Sequence, residues 1–531
     1  MLETPEANVV EDHLERFTLR VAKAHAERAI DRPREAIEGP GHRVGLKLLQ
    51  CSALSQALEV CAHGGSELRA VRPHKHGDEP CFNIRAARDV PLASLGGPAD
   101  GPRGAVREIP ATMNAQALAR ALFDDPSRTF AVQLWDGSVL PGPRAPPALV
   151  LKSEAVLKHL LPPLEERAIA QAFGRGDLDI DGDAVSLLEA VARWGGPSLH
   201  AKLAAHRIRT TFAKCTADLR RRFLRATGWS HAKRQDRRAV RVHYDLGDDF
   251  FRLFLDESMT YSCAYFPSGD ESLAEAQRSK LDLVARKLGL RTGQKLLDIG
   301  CGWGSLVNHA SQAYGVTACG ITISDSQLRE VQRRAMTTGV TVLRRDYRDA
   351  PRGPFDRVVS VGMMEHVGGR NLDRYFRAVY DRLRPGGLFL NHAIADISGK
   401  HRMMRWLDCP VGGFVLDEIF PGSELLPLAA VVRAAEANGF EVRDVEPLRE
   451  HYAQTLACWI ANLDARFADA VFLVGLEMAR KWRLYLAASA AAFRVGAIGV
   501  YQVLLAKRDE GGRAVGLPRS RAKWYDPAPH N

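Results

Sequence analysis

Residues 296–306 read LLDIGCGWGSL: an apolar run, one acid, then glycine at every second position, Gly300, Gly302 and Gly304. A short apolar run ending in alternating glycines fits a buried strand that turns sharply into a helix. Glycine accepts positive φ there and lets a ligand press against the backbone. A dinucleotide-binding loop spaces its glycines GxGxxG, so that a pyrophosphate rests on the next helix N-terminus. Here the third glycine arrives one residue early, behind the bulky Trp303, and GxGxG suits an uncharged ribose and an amino-acid tail better than a diphosphate. The bland alternative is a tight strand-to-helix turn with no ligand.

From residue 275 the chain repeats strand–helix units. KLLDIG, VTACGITIS, VTVLRRD, FDRVVSVG and GGLFLNHAI read as successive strands, with helices starting at Ser305 and at SDSQLREVQRRA. Such alternation argues for a mostly parallel sheet wrapped by helices, with ligands at the carboxyl ends of the strands. The second strand ends at Thr322-Ile323-Ser324, where no acid is available for ribose hydroxyls. Thr322 and Gln327 can serve by neutral hydrogen bonds, while Ser324-x-x-Gln327 also reads as a capping box. Asp346-Tyr347 ends the third strand; its carboxylate either accepts an adenine amino hydrogen or sits in an exposed turn. MMEHVGG and LFLNHAI place Glu365 and His392 at neighbouring strand ends, facing one crevice, as a functional pair or as a structural salt bridge. Two such groups do not make a tetrahedral zinc site, and without HxxxH or CxxC no metal is expected.

At 531 residues two or three domains are expected, and 46% hydrophobic with 26% charged residues is a globular balance. The nine cysteines form no CxxC pair, which points to a reducing cytoplasm. MLETPEANVVEDHLERF is too charged for a secretory signal, and no apolar run reaches the ~18 residues of a membrane span. The net charge of +10 is concentrated: Arg207–Arg241 holds twelve Lys/Arg against Asp218 and Asp236. With Leu219, Phe223 and Trp229 interleaved, this stripe reads as an anionic-lipid surface, a solvated or dimer-facing helix, or a nucleic-acid contact. Nucleic acid is set aside, because no base-handling signature such as an NPPY-type loop accompanies it. Further upstream, ASLGGPADGPRGA is a Gly/Pro-rich linker. FAVQLWDGSVLPG reads as two short strands around Asp136-Gly137, ALVLKS as a strand and SLLEAVARW as a helix.

Nine motifs in order carry a resemblance: HYDLGDDFFRLFLD (243–256), TYSCAYF (260–266), LLDIGCGWG (296–304), GITIS (320–324), DYRD (346–349), DRVVSVGMMEHVG (356–368), LNHAI (390–394), EIFPG (418–422) and HYAQTL (451–456). Over about half the chain it resembles the cyclopropane fatty acid synthases, S-adenosylmethionine-dependent methyltransferases acting on unsaturated acyl chains. CPVGGFVLDEIFPGSELL resembles the mycolic acid branch, whereas FAVQLWDG and GRGDLDIDGD resemble the N-terminal lipid-binding domain of the phospholipid enzymes. The resemblance implies an α/β class I methyltransferase fold, Rossmann-like with a mostly parallel seven-stranded sheet, preceded by a smaller α+β lipid-binding domain. The expected divisions are an N-terminal extension (1–105), the small lipid-binding domain (106–195), a basic connector (196–241), the catalytic domain (242–506) and a tail (507–531).

For S-adenosylmethionine the resemblance implies Tyr261 and Ser262, the loop Leu296, Leu297, Asp298, Ile299, Gly300, Cys301, Gly302, Trp303 and Gly304, then Thr322, Ile323, Ser324, Gln327, Asp346 and Tyr347. It also implies a bound bicarbonate, held by the Cys263 and Ile394 backbones with Glu365, His392 and Tyr452. Where many relatives carry a late cysteine, this chain has Ser489, which removes any nucleophilic role from that position. The implied reaction methylenates the cis double bond of phospholipid acyl chains to a cyclopropane. Sister enzymes making methyl- or methylene-branched chains, or a decayed lipid-binding protein, are the alternatives. A homodimer, cytoplasmic and peripheral to the inner membrane face, is expected on the same ground.

Chemistry orders the steps. An isolated alkene has no proton acidic enough to remove first, so the sulfonium methyl is attacked first and a base acts afterwards. Near-attack placement and exclusion of water are the requirements. Tyr244, Tyr261, Tyr265, Phe266 and Trp406 are candidates for stabilising positive charge, against ordinary core packing. Glu365 and His392 are expected to act as a pair that holds one protonation state.

Overall fold

The computed structural model describes residues 114–160, 166–194, 246–334, 336–397, 414–512 and 517–525. Helix α1 (Ala115–Phe123) starts where the Asn114 side chain accepts from the Ala117 amide at 2.8 Å. Strand β1 (Ala131–Gln133) pairs in parallel with β2 (Ala148–Leu151); α2 (Glu166–Arg175) follows. Strand β3 (Leu178–Asp181) then runs antiparallel to β2 before α3 (Ala184–Trp194). The expected Asp-Gly turn is present, with Leu134 N donating to Ser138 O at 2.8 Å and Gly137 at φ 84°. Its return strand shrinks to one bridge, Gln133 to Val139. Pro141 and Pro143, close behind, have no N–H to extend a ladder.

The second sheet carries the chemistry. Helix α4 (Leu273–Leu288) opens with a capping box between Ser272 and Glu275 and closes at Gly289 in the left-handed region. Then follow β4 (Lys295–Ile299), α5 (Ser305–Tyr314), β5 (Thr317–Thr322), α6 (Asp325–Arg333), β6 (Val340–Arg344), β7 (Phe355–Val361), α7 (Leu372–Tyr380) and β8 (Leu383–Asp396). After these come α8 (Leu428–Ala437), β9 (Phe440–Pro447), α9 (Arg449–Ala465), α10 (Phe467–Val474), α11 (Leu476–Arg494) and β10 (Ile498–Lys507). The strand order is β6-β5-β4-β7-β8-β10-β9, parallel from β6 to β8, with β10 antiparallel to both neighbours. The seven strands and the mostly parallel pairing agree with the sequence reading.

The small sheet and α1–α3 share one hydrophobic cluster with α9 and α11, while the two faces of the large sheet carry clusters of their own. The alanine-rich face of α11, with Ala487, Ala488, Ala490 and Ala491 buried, lets α2 and α3 pack closely against it. Arg480 on α11 donates to Phe173 O at 2.7 Å and to Asp179 at 3.0 Å, fastening the small sheet. Phe250, Phe251, Phe254, Trp459 and Trp482 fill the adjoining space edge to face, and each buried phenylalanine contributes about 2 kcal/mol. Tyr244, Trp406 and the basic stripe 207–241 lie outside the described residues.

Candidate active site

The glycine loop after β4 adopts the conformation its sequence requires. Gly300, Gly302 and Gly304 have φ of 85°, 56° and 83°, a region costly for any residue with a Cβ. A Cβ on Gly300 would stand 2.9 Å from Met363 Cγ, whereas one on Gly302 would meet nothing within 4 Å. The loop is anchored by Trp303, whose indole N–H donates to Asp248 Oδ1 at 2.8 Å while its ring packs 5.2 Å from Phe251.

Above the loop lies a cleft of about 1120 Å³, counted with its open mouth. Of the residues assigned to the donor from sequence, Tyr261, Ser262, Asp298, Ile299, Gly300, Cys301, Gly302, Trp303, Thr322, Ile323, Gln327, Asp346 and Tyr347 line it. Leu296 and Leu297 instead pack into the hydrophobic cores on the two faces of β4. Gly304 sits against Met336 and Val331, and Ser324 caps α6 by accepting from the Gln327 amide at 3.3 Å. Only half of the capping box forms, because the Gln327 carboxamide oxygen accepts from the Thr322 hydroxyl at 2.7 Å. Asp346 is held in a fork by Arg348, with both guanidinium contacts at 2.6 Å, which engages much of its accepting capacity.

The cleft also takes in residues that sequence reasoning missed, among them Met259, Lys280, Arg345, Met363 and His366. Lys280 comes from α4. It follows Gln277 by three residues on a helix whose buried face is apolar apart from Gln277, Lys280 and Lys287. Gln277 Nε2 donates to Thr260 O at 3.2 Å and Ser262 O at 2.9 Å, and Lys280 Nζ donates to Ser262 Oγ at 2.9 Å. Burial pulls the Lys280 ammonium down to about 8 and pushes the Asp298 carboxyl up to about 7.

The five residues assigned to a base site do not line this cleft, but a chain of contacts links them. Val361, at the end of β7, pairs in register with His392 on β8. The Ile394 amide, two residues on, donates to Glu365 Oε1 at 2.7 Å. Ile394 pairs with Val500, whose carbonyl accepts from the Leu448 amide at 2.9 Å. Leu448 O in turn accepts from the Tyr452 amide at 3.1 Å and faces the Cys263 thiol at 3.7 Å. Burial pushes that thiol far above its ordinary value, which suits a packing role for the side chain.

Glu365 and His392 are not bonded to each other, contrary to the expected pairing. Each has a different partner. His392 Nδ1 meets Gln502 Nε2 at 3.3 Å across the β8–β10 ladder. With the amide donating, the histidine proton sits on Nε2. Burial lowers the His392 pKa to about 3, so the ring is neutral, and burial raises Glu365 to about 7. Glu365 Oε2 and His392 Nε2 are both buried without a hydrogen-bond partner among the described residues. An acid near its protonation point and a buried imidazole nitrogen, both unsatisfied, suit a small bound anion.

A seven-stranded sheet of this order, with a glycine loop after its first central strand and a cleft across the strand ends, defines a class I methyltransferase. The family model described as mycolic acid cyclopropane synthetase matches residues 231–503. A “Probable fatty acid methyltransferase” of Pseudomonas putida is 37% identical over 402 residues, covering 74% of this chain and 95% of that protein. A similarly named protein of Mycobacterium tuberculosis is 35% identical over 397 residues, covering 71% and 91%. Cyclopropane mycolic acid synthase 1 of M. tuberculosis is 40% identical over 272 residues, covering 50% and 94%. The chain belongs to the mycolic acid cyclopropane synthetase family and is an S-adenosylmethionine-dependent methyltransferase.

Proposed function

We propose that the protein methylenates the cis double bond of unsaturated acyl chains in membrane phospholipids, giving cyclopropane fatty acids, with bicarbonate as the base. The carrying observation is the pair of orphaned buried atoms, Glu365 Oε2 and His392 Nε2, on residues next to His366 in the chain and Val361 in the sheet, which line the donor cleft. When bound, S-adenosylmethionine supplies an electrophilic methyl and bicarbonate a proton acceptor. The alkene π pair forms the new C–C bond as the C–S bond breaks. The transferred methyl then loses a proton, and its C–H pair closes the ring.

This chain's residues meet the demands of that sequence. Glu365, raised to about 7, can donate to or accept from an anion near neutrality. Neutral His392, oriented by Gln502, presents an N–H. Tyr261, 5.1 Å from Trp459 and 5.5 Å from Phe251, gives the cleft an aromatic wall that excludes water and favours positive charge. Tyr261 OH also meets Tyr485 OH at 3.2 Å, one turn before Ser489, where no cysteine is needed.

Membrane association is part of the reading. No described helix is long and apolar enough to cross a bilayer. Phe472, Leu473 and Leu476 stand exposed where α10 meets α11, an apolar tip available to a lipid surface. A second product class is favoured by the names of the two relatives with the longest matched lengths above, fatty acid methyltransferases rather than cyclopropane synthases.

The test is incubation with S-adenosylmethionine and unsaturated phosphatidylethanolamine or phosphatidylglycerol vesicles, with acyl masses and olefinic signals recorded. One added CH₂ with loss of the olefin is expected. One added CH₂ with a retained methylene supports the branched product. Unchanged lipid, with and without bicarbonate, contradicts both.

A further inference from the structure

The imidazole of His392 begins a polar row that crosses the large sheet. His392 pairs in register with Gln502 on β10, and Gln502 with Glu446 on β9. Residues directly opposite in antiparallel strands point to one face, so these three side chains stand side by side. That face is covered by α4, which brings the fully buried Lys287 to Glu446 and, at 3.4 Å, to Asp444. The lysine's charge reaches the imidazole: burial first, then Lys280 and Lys287, lower the His392 pKa.

A segment beyond β10 closes the far end of the row. In the helical turn Ala522–Tyr525, Trp524 is 5% exposed, with its ring 5.8 Å from Lys287 Nζ. Arg521, just before the turn, donates to Asp444 Oδ1 at 2.7 Å and to Val445 O at 3.2 Å. The Tyr525 hydroxyl donates to Glu446 Oε1 at 2.8 Å. Burial and the Glu446 carboxylate raise that phenol above its ordinary value, so it stays a donor. Glu446 therefore accepts from Lys287 on one oxygen and from Tyr525 on the other.

Gln502 stands between two acceptors. Its amide nitrogen, which only donates, meets His392 Nδ1 at 3.3 Å, while its oxygen has no partner among the described residues. A carboxylate is a stronger acceptor than an imidazole nitrogen, and Glu446 is the cross-strand neighbour. The amide serves His392 because both oxygens of Glu446 are already engaged.

We propose that Tyr525, anchored by Arg521 and Trp524, is a positioning residue of the base site: by occupying Glu446 it leaves the Gln502 amide to His392 and so fixes which imidazole nitrogen carries the proton. The inference rests on His392 acting beside the bound anion, as proposed above. Tyr525 acts only through Glu446 and Gln502.

Tyr525→Phe tests this, since it removes one hydroxyl and keeps the ring. Ligand-free protein with isotope-labelled histidine ring nitrogens is read by nitrogen NMR, with His392→Asn assigning the signal. The parent protein should show one His392 tautomer, protonated on Nε2, and Tyr525→Phe a mixture of both. Turnover on vesicles should fall about fivefold to tenfold, the worth of one hydrogen bond, with S-adenosylhomocysteine affinity unchanged. That retained affinity shows the variant is folded. Adding Glu446→Leu removes the competing acceptor and should restore the single tautomer and most of the turnover, a coupling that a purely structural loss does not produce. An unchanged tautomer in Tyr525→Phe, or a loss that Glu446→Leu deepens, overturns the proposal. A mixed tautomer with parental turnover upholds the link from Tyr525 to His392 and overturns the base-site reading instead.

Discussion

Glu365→Gln should stabilise the unliganded protein at alkaline pH while abolishing most of its turnover. The Glu365 carboxyl is 6% exposed, Oε1 accepts from the Ile394 amide at 2.7 Å, and Oε2 has no partner. Burial is the dominant cause of a rise from 4.5 to about 7. A carboxyl raised in the folded state favours folding most below its unfolded value, and that contribution is lost as pH climbs through the folded value. Relative to the fully protonated limit, the wild-type protein therefore loses about 1 kcal/mol near pH 5 and about 3 kcal/mol near pH 8.5. Glutamine keeps the acceptor for Ile394 and never ionises. Its amide nitrogen replaces an unpartnered oxygen, which adds a cost independent of pH. Urea unfolding of both proteins, without donor or bicarbonate, should show the variant gaining about 2 kcal/mol on the wild type between those two pH values. A stability difference that does not change with pH would refute the claim that Glu365 sits ionisable in a dry pocket. Turnover on vesicles should fall by orders of magnitude, with S-adenosylhomocysteine affinity largely kept.

Other outcomes follow from the same geometry. Gln502→Leu removes the group that fixes the His392 tautomer, and turnover should drop about tenfold to a hundredfold with little change in donor affinity. Gly302→Ala places a side chain in the left-handed region and a methyl toward the donor, so S-adenosylhomocysteine titrations should show weaker binding by at least about tenfold. Ser489→Cys should leave turnover unchanged; a large gain would show that the missing late cysteine matters. Vesicle binding should weaken as salt screens the basic stripe, and replacing Phe472 and Leu473 by serine should weaken what remains at high salt.

Much of this site was legible in the sequence because its determinants are local. Alternating glycines demand positive φ, and strand ends converge in any parallel sheet, which is enough to bring Asp298, Thr322, Asp346 and Glu365 to one edge. Strands β9 and β10 were not individually assigned. FEVRDVEP carries Arg443, Asp444 and Glu446, charges that mask a strand until the partner is known. The last two are buried against Lys287 on α4, a pairing between residues far apart in the chain. Gln502 and Lys280 were missed for the same reason. Glutamine in a strand and lysine in a helix look solvent-exposed until the fold buries them, at 0% and 2% exposure. The Glu365–His392 pair failed because adjacency at strand ends fixes which backbone levels meet, not which side-chain atoms do. Gln502 and the Ile394 amide reached those atoms first.

The most direct measurement uses S-adenosylmethionine whose methyl carries three deuteriums, supplied with unsaturated phospholipid vesicles and bicarbonate. The account expects the acyl product to keep two of the three deuteriums and to lose its olefinic signal, since one is surrendered to the base as the ring closes. An acyl product retaining all three, or lipid that takes up no label, would contradict it.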